Sequence, residues 1–192
     1  MAAMERPRPI IELGDVALRR WRGQDDFAAA HKLIEESLDH LCPWEPWVAG
    51  HSEEHTRDFL AKSASKWANG DVYNYAITKD GAFVGMCQTY RGAEPNGRFM
   101  GYWLHPAAIG QGIATRATAA LATEMFTLPA VRYLEIAHDS ANTSSAAVPR
   151  RLGFTEVRRE RATPPAAPAG SGIEVVWRLN RPVPSAHGTL RP

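Results

Sequence analysis

Apolar residues along the chain follow two rhythms, and the switches between them outline its elements. Near the start, IELGDVALRRW alternates at Val16 and Leu18, the two-residue period of a half-buried strand. A turn at Gly14-Asp15 makes this a strand or a small hairpin. The period then lengthens: in QDDFAAAHKLIEESLDHL, Phe27, Ala30, Leu33, Ile34, Leu38 and Leu41 recur at helical spacing. CPWEPW breaks that helix with two prolines. Ser52 then stands as an N-cap before Glu53 and Glu54, whose charges suit the positive end of a helix. This second helix is predicted to reach about Ala68 and stop near Gly70.

The middle returns to alternation. VYNYAIT and AFVGMCQTY flank Asp80-Gly81, a strong hairpin signal, and Asn96-Gly97 turns the chain again into RFMGYWL. Three consecutive antiparallel strands result, the third ending at His105-Pro106. AAIGQG leads into IATRATAALATEMF, a strong helix former. A strand at Val131–Ala137, a short helix closing at Gly153, and two last strands in FTEVRRER and GIEVVWRL complete the chain. The predicted order, β-α-α-β-β-β-α-β-α-β-β, is a mixed α/β layer fold. It reads as one domain over residues 10–180, with proline-rich flexible tails at 1–9 and 181–192 and an exposed loop at Ala162–Gly172.

Composition narrows the function classes. The 192 residues suit a single domain, and 44% hydrophobic with 22% charged residues is ordinary for a soluble protein. A net charge of +1 gives no global basic field for nucleic acid. No run of 18 apolar residues exists, so no membrane helix is expected, and MAAMERPRP lacks the apolar stretch of a signal peptide. The two cysteines, Cys42 and Cys87, have no metal-ligand spacing, and a reducing cytoplasm is the simplest reading.

The stretch that carries chemistry is GYWLHPAAIGQGIAT, Gly101–Thr115. A strand ends, a glycine loop turns and a helix begins. The helix start offers unpaired N–H groups and the positive end of the dipole. Gly110 and Gly112 let an anion approach the backbone, so the loop is either a phosphate cradle without a lysine or an ordinary tight turn. A P-loop would need Gly-Lys-Ser/Thr, which is absent. A dinucleotide fingerprint would need a third glycine where Thr115 stands, and its strand should open a βαβ unit rather than close a meander. A nucleotide-dependent oxidoreductase is thus a distant alternative.

Ile109-Gly110-Gln111-Gly112-Ile113-Ala114 resembles the acyl-CoA loop of the GNAT superfamily, Q/R-x-x-G-x-G/A. The element order matches as well, from about Val16 to Leu179. LCPWEPW, SEEHTRDF, GYWL and ANTSSAAVPRRLGF, in that order, look most like the ribosomal-protein N-terminal acetyltransferase subgroup. The resemblance implies a mostly antiparallel sheet, splayed between the strand ending at Leu104 and the strand Val131–Ala137, with acetyl-CoA in the split. Its phosphates would meet the backbone of Ile109, Gly110, Gln111, Gly112, Ile113, Ala114 and Thr115. Trp103 and Leu104 would border its thioester, the Leu104 N–H acting as oxyanion donor. Asn142 would touch the pantetheine arm, and Ser145 would protonate the leaving thiolate. Trp44, Trp47 and Tyr90 are candidate walls of the acceptor site. The implied reaction is direct attack by a primary amine, of a protein N-terminus or of a small metabolite or antibiotic, with no metal. A homodimer is a further family expectation.

Departures open alternatives. Ile109 replaces the loop's first Gln/Arg. Phe99-Met100 stands where the subgroup often has a glutamate, and Ala162-Thr163-Pro164 gives no match for a second one. With those bases gone, an acceptor amine of pKa near 8 fits better than a lysine-like one. His105, Glu135, Asp139 and Glu160 remain as bases or water relays. A module that binds acyl-CoA without turnover, or an enzyme using succinyl-CoA, stays open. His51 and His55 share an i,i+4 spacing, but without a zincin glutamate they read as a solvated helix start.

Overall fold

A computed structural model describes residues 5–92 and 94–182. The opening alternation is a hairpin, β1 (Ile10–Leu13) and β2 (Val16–Arg20). The first predicted helix divides into α1 (Phe27–Glu35) and a single turn, α2 (Leu38–Leu41). Ser37 is the cause: it is fully buried, and its hydroxyl donates to the Leu33 carbonyl at 2.7 Å, the local bond by which serine competes with a helix ladder. The N-cap expectation holds at α3 (Glu53–Ala68), where Ser52 Oγ accepts from the His55 N–H. The meander is β3 (Val72–Lys79), β4 (Ala82–Arg91) and β5 (Gly97–Leu104). Asp80 and Gly81 both take positive φ, as a two-residue hairpin turn demands. Then follow α4 (Ile113–Thr127), β6 (Tyr133–Asp139), α5 (Thr143–Arg151), β7 (Thr155–Arg161) and β8 (Ile173–Asn180). Among the described residues, no helix is long and apolar enough to cross a membrane.

The eight strands form one sheet in the order β1-β2-β3-β4-β5-β6-β8-β7. Every neighbouring pair is antiparallel except β5 and β6. The mixed, mostly antiparallel fold expected from the sequence is the observed one. Helix α4 lays Ile113, Ala117, Leu121 and Met125 on one face of the sheet, together with Leu134 and Ile136. On the other face α1 and α3 cover Trp21, Ala76, Phe83 and Met86 with Ala30, Leu33 and Leu60. Burying each Leu or Ile of these layers contributes about 1.5–3 kcal/mol.

The ends of the domain carry polar fastenings. Arg8, within the segment expected to be a tail, pairs with buried Glu124 at 2.7 Å, and Arg20 N–H donates to the Pro9 carbonyl. Arg181 reaches the Val131 carbonyl with its side chain and the Arg132 carbonyl with its N–H. The remainder of the two expected tails, residues 1–4 and 183–192, lies outside the described residues.

Candidate active site

The parallel pair β5 and β6 is joined only from Gly97↔Tyr133 to Met100↔Ile136. Beyond that point both strands continue, β5 to Leu104 and β6 to Asp139, but each pairs only with its other neighbour. The sheet therefore splays, as expected, and the gap opens at Gly101. Register decides which groups face it. His105 N–H donates to the Val84 carbonyl at 2.8 Å. Residues of an antiparallel ladder alternate between bonding their partner and turning away. Leu104 and Tyr102, one and three positions back, thus direct their N–H groups toward the gap. Gly85, opposite Leu104, permits this approach: a Cβ there would collide with the Trp103 carbonyl and the Leu104 backbone.

The glycine loop stands at the end of β5. His105 Nδ1 accepts from the Ala107 N–H and starts a 3-10 turn over Pro106–Ala108. Gly110 and Gly112 then have φ of 76° and 71°, which glycine adopts at no steric cost. Gly112 is the N-cap of α4 and offers no side-chain acceptor, so the N–H groups of Ile113, Ala114 and Thr115 are left for another partner. A Cβ at Gly110 or Gly112 would meet nothing within 4 Å, so the approach is open. Ile109 is exposed, and the Gln111 side chain is tied to the Ala107 carbonyl and to Lys79.

A cleft of about 280 Å³ occupies the splay. On the α5 side it is walled by Tyr102, Asn142 and Ser145, on the other by Trp44, Gln88 and Tyr90, so it passes through the sheet from one face to the other. Asn142 caps α5 by accepting the Ser145 N–H at 3.0 Å. The Tyr102 hydroxyl donates to the Ser145 carbonyl at 3.0 Å and lies 3.3 Å from Ser145 Oγ. Burial pushes the Tyr102 phenol up to about 12, against the Ser145 hydrogen bond. Trp44 and Tyr90 line this cleft, with Tyr90 stacked on Phe99. Trp47 and the Trp103 indole lie elsewhere, 6.3 Å apart beside a second cavity on the α1 and α3 face. Trp103 does not line the cleft: its indole is on the other face, and by the same alternation its N–H and carbonyl turn toward β4. The Ala162–Gly172 segment, read as an exposed loop, covers the cleft with Ala162, Thr163 and Pro165–Ala167, and Ala169 N–H bonds the Pro43 carbonyl.

The structure reassigns the carboxylates. Two that sequence reasoning passed over, Glu45 and Glu174, line the cleft. Burial pushes the Glu45 carboxyl above the ordinary glutamate range, opposed by a 2.9 Å hydrogen bond from the Trp47 indole. Burial and then the Glu160 charge push Glu174 the same way. A signal for Glu45 was present, an acid between two tryptophans in a loop already read as an acceptor wall. Glu174 sits in a strand whose register the sequence does not display.

The four residues named as remaining bases are less suited. His105 sits at the glycine loop, with Nε2 3.8 Å from Glu36. Glu135 is held by Arg158 and Arg178. Glu160 pairs with Arg158. Asp139 borders the cleft, but its carboxylate accepts from the Ala141, Ser171 and Gly172 N–H groups and the Ser171 hydroxyl. Burial works against its charge, yet those bonds hold it below the usual aspartate range.

Solved structures share this fold. The microcin C7 self-immunity acetyltransferase MccE, in complex with acetyl-CoA and AMP, aligns over 88% of this chain and 93% of its own, with a TM-score of 0.80 and 18% identity. The ribosomal L7/L12 α-N-protein acetyltransferase RimL, in complex with coenzyme A, aligns over 89% and 97%, with a TM-score of 0.80 and 23% identity. RimJ of Mycobacterium smegmatis, in complex with a CoA-disulfide, aligns over 86% and 81%, with a TM-score of 0.75 and 26% identity. At these identities the likeness establishes the fold. No curated protein matches the sequence. The family model of the GNAT acetyltransferase domain matches residues 15–155, from the first hairpin through the splayed strands and the glycine loop to the start of β7, and the chain belongs to that family.

Proposed function

We propose that the protein acetylates a primary amine with acetyl-CoA, and that donor and acceptor meet in the cleft between β5 and β6. The observation that carries this reading is the splay itself. Pairing ends at Met100↔Ile136, and a polar cleft crosses the sheet where the Leu104 N–H is unclaimed by a strand. The residues present fit the co-substrate: an uncapped helix start with two left-handed glycines for its phosphates, and the edges of β5 and β6 for its extended arm. When bound, acetyl-CoA supplies the thioester whose C–S bond breaks as the amine forms its C–N bond.

The chain's own groups divide the remaining work. The Leu104 N–H donates to the carbonyl oxygen as negative charge gathers there. Glu45, on the acceptor side of the cleft, takes the proton of the attacking amine, with Glu174 as the second carboxylate in reach of the same space. A raised pKa suits this work, because a base poised nearer neutrality holds an amine proton better. Ser145 and Tyr102 form the hydroxyl pair on the donor side and return a proton to sulfur. Asn142 fixes Ser145 through its backbone.

Glu45 and Glu174 remove the reason for preferring a weakly basic acceptor, and also the ground for a binding module without turnover. RimL, an α-N-protein acetyltransferase of ribosomal L7/L12, supports a polypeptide α-amine as the first acceptor class, and MccE, a microcin self-immunity acetyltransferase, keeps small-molecule amines as the second. The test is release of free CoA from acetyl-CoA in the presence of peptides with Ser, Ala or Met at the N-terminus and of a panel of small amines, with succinyl-CoA in parallel. Acceleration by at least one amine is expected. Tight acetyl-CoA binding with no acceleration by any amine would overturn catalysis and leave a binding module.

A further inference from the structure

On the acceptor face, beside the second cavity, three side chains from distant parts of the chain converge. His31 and Glu35 are one turn apart on α1, and His51 lies in the extended residue just before the α3 cap. Their ligand atoms all lie within 4.8 Å of one another. Glu35 Oε1 is 3.5 Å from His51 Nε2 and 3.8 Å from His31 Nε2. An ion of the zinc class holds nitrogen and oxygen ligands at about 2.0–2.2 Å, which sets neighbouring ligands of a tetrahedral site roughly 3.3–3.5 Å apart. The two spacings to Glu35 nearly meet this before any ion is added.

Two further observations point to a ligand. The His51 side chain is only 4% exposed, yet its Nε2 has no hydrogen-bond partner among the described residues. A buried nitrogen aimed at a carboxylate without bonding it is costly unless something stands between them. The second is the outer contact of His31. Its Nδ1 lies 3.3 Å from Thr56 Oγ1, which also lies 3.4 Å from the Ser52 carbonyl. With Nδ1–H donating to that hydroxyl, Nε2, 3.8 Å from Glu35, carries the lone pair by which imidazole binds metals. Phe27 stacks on one side of the His31 ring, and His51 on the other at 5.2 Å.

We propose that His31, Glu35 and His51 bind one divalent transition-metal ion of the zinc class. The ion fastens α1 to the loop that carries Glu45 and Trp47, and takes no part in acetyl transfer. The His51 and His55 spacing is a false lead: His51 is extended and lies outside the helix, so the two do not share a helix face.

The test uses the full untagged chain, stripped of metal and titrated with ZnCl2 by calorimetry in a non-chelating buffer, with Co²⁺ followed by visible absorption. One Zn²⁺ per chain is expected, with a Co²⁺ spectrum of a low-coordinate nitrogen-ligated ion. His51→Ala and Glu35→Gln should each weaken binding at least about tenfold, and Thr56→Val by about tenfold through loss of the outer hydroxyl. Glu35 is half-exposed, so Glu35→Gln keeps the fold, and its metal-free Tm verifies that. No saturable binding by the native chain, or native affinity in Glu35→Gln, would overturn the site.

Discussion

Two regions flanking the splay hold carboxylates away from water and treat them in opposite ways. On β6, Glu135 is 3% exposed, and one of its oxygens accepts from Arg158 at 2.9 Å and from Arg178 at 2.7 and 3.0 Å. Across the splay, Glu45 is partly buried, and its hydrogen bond comes from a neutral indole. Both sites are desolvated. The difference is the cation, and it separates a carboxylate that fastens strands from one left free to move a proton. Burial alone therefore does not mark the chemistry; burial without a counter-charge does.

The largest expected effect breaks the fastened side. Glu135→Ala leaves two guanidinium groups clustered beside β6, and removing one partner of a buried ion network costs about 3 kcal/mol. For a domain of this size the Tm should fall by about 6–12 °C. Turnover per folded molecule should stay native, and a large loss in kcat at a temperature well below the new Tm would place Glu135 in the chemistry instead.

The next effect is on the cleft side, and its sign on stability is opposite. Glu45→Gln should lower kcat/KM by about 100-fold, the loss usual for a missing general base. The folded-state pKa of Glu45 is raised, so the folded protein binds more protons than the unfolded chain between the ordinary glutamate range and that raised value. Stability contributed by this group is present at low pH and lost as pH rises through that window. At pH 7 the charged carboxylate is a burden, and Glu45→Gln should leave Tm unchanged or higher. The native pH profile should lose activity as pH falls through the raised pKa, and the variant should lack that limb. A retained limb would pass the role to Glu174.

Smaller again is the donor side. Ser145→Ala should lower kcat about tenfold with acetyl-CoA affinity nearly native, because the Ser145 N–H still bonds Asn142. Tyr102→Phe tests the other hydroxyl of the pair. If Ser145→Ala is silent and Tyr102→Phe is not, the proton reaches sulfur from the phenol.

The sequence displayed one side of this comparison better than the other. Local rules carried the hairpin at Asp80-Gly81, the cap at Ser52 and the glycine loop, because each depends on residues close in the chain. The splay at Gly101 is expected only through resemblance, since β5 pairs with β6 across 36 residues of chain, a contact that no periodicity reports. Glu174 and the Glu135 network were hidden for the same reason. Trp103 differs for another reason: strand alternation puts its indole on the face opposite Tyr102, and a motif does not state which face each of its residues takes.

The smallest prediction places a new carboxylate at the positive end of a helix dipole. Gly112 has a positive φ and open space at its Cβ, so Gly112→Asn and Gly112→Asp bear the same backbone strain and meet the same emptiness. They differ by one charge at the start of α4. That charge interacts with the helix N-terminus by about 1 kcal/mol, roughly a fivefold factor in an equilibrium. In the free protein it should make the Asp variant the more stable of the two. In the complex it occupies the field proposed for the phosphates, so acetyl-CoA should bind the Asp variant about fivefold more weakly than the Asn variant. Opposite signs on stability and affinity are the mark of a shared anion site. Equal acetyl-CoA affinity in the two variants would place the phosphates elsewhere and reduce the loop to a turn.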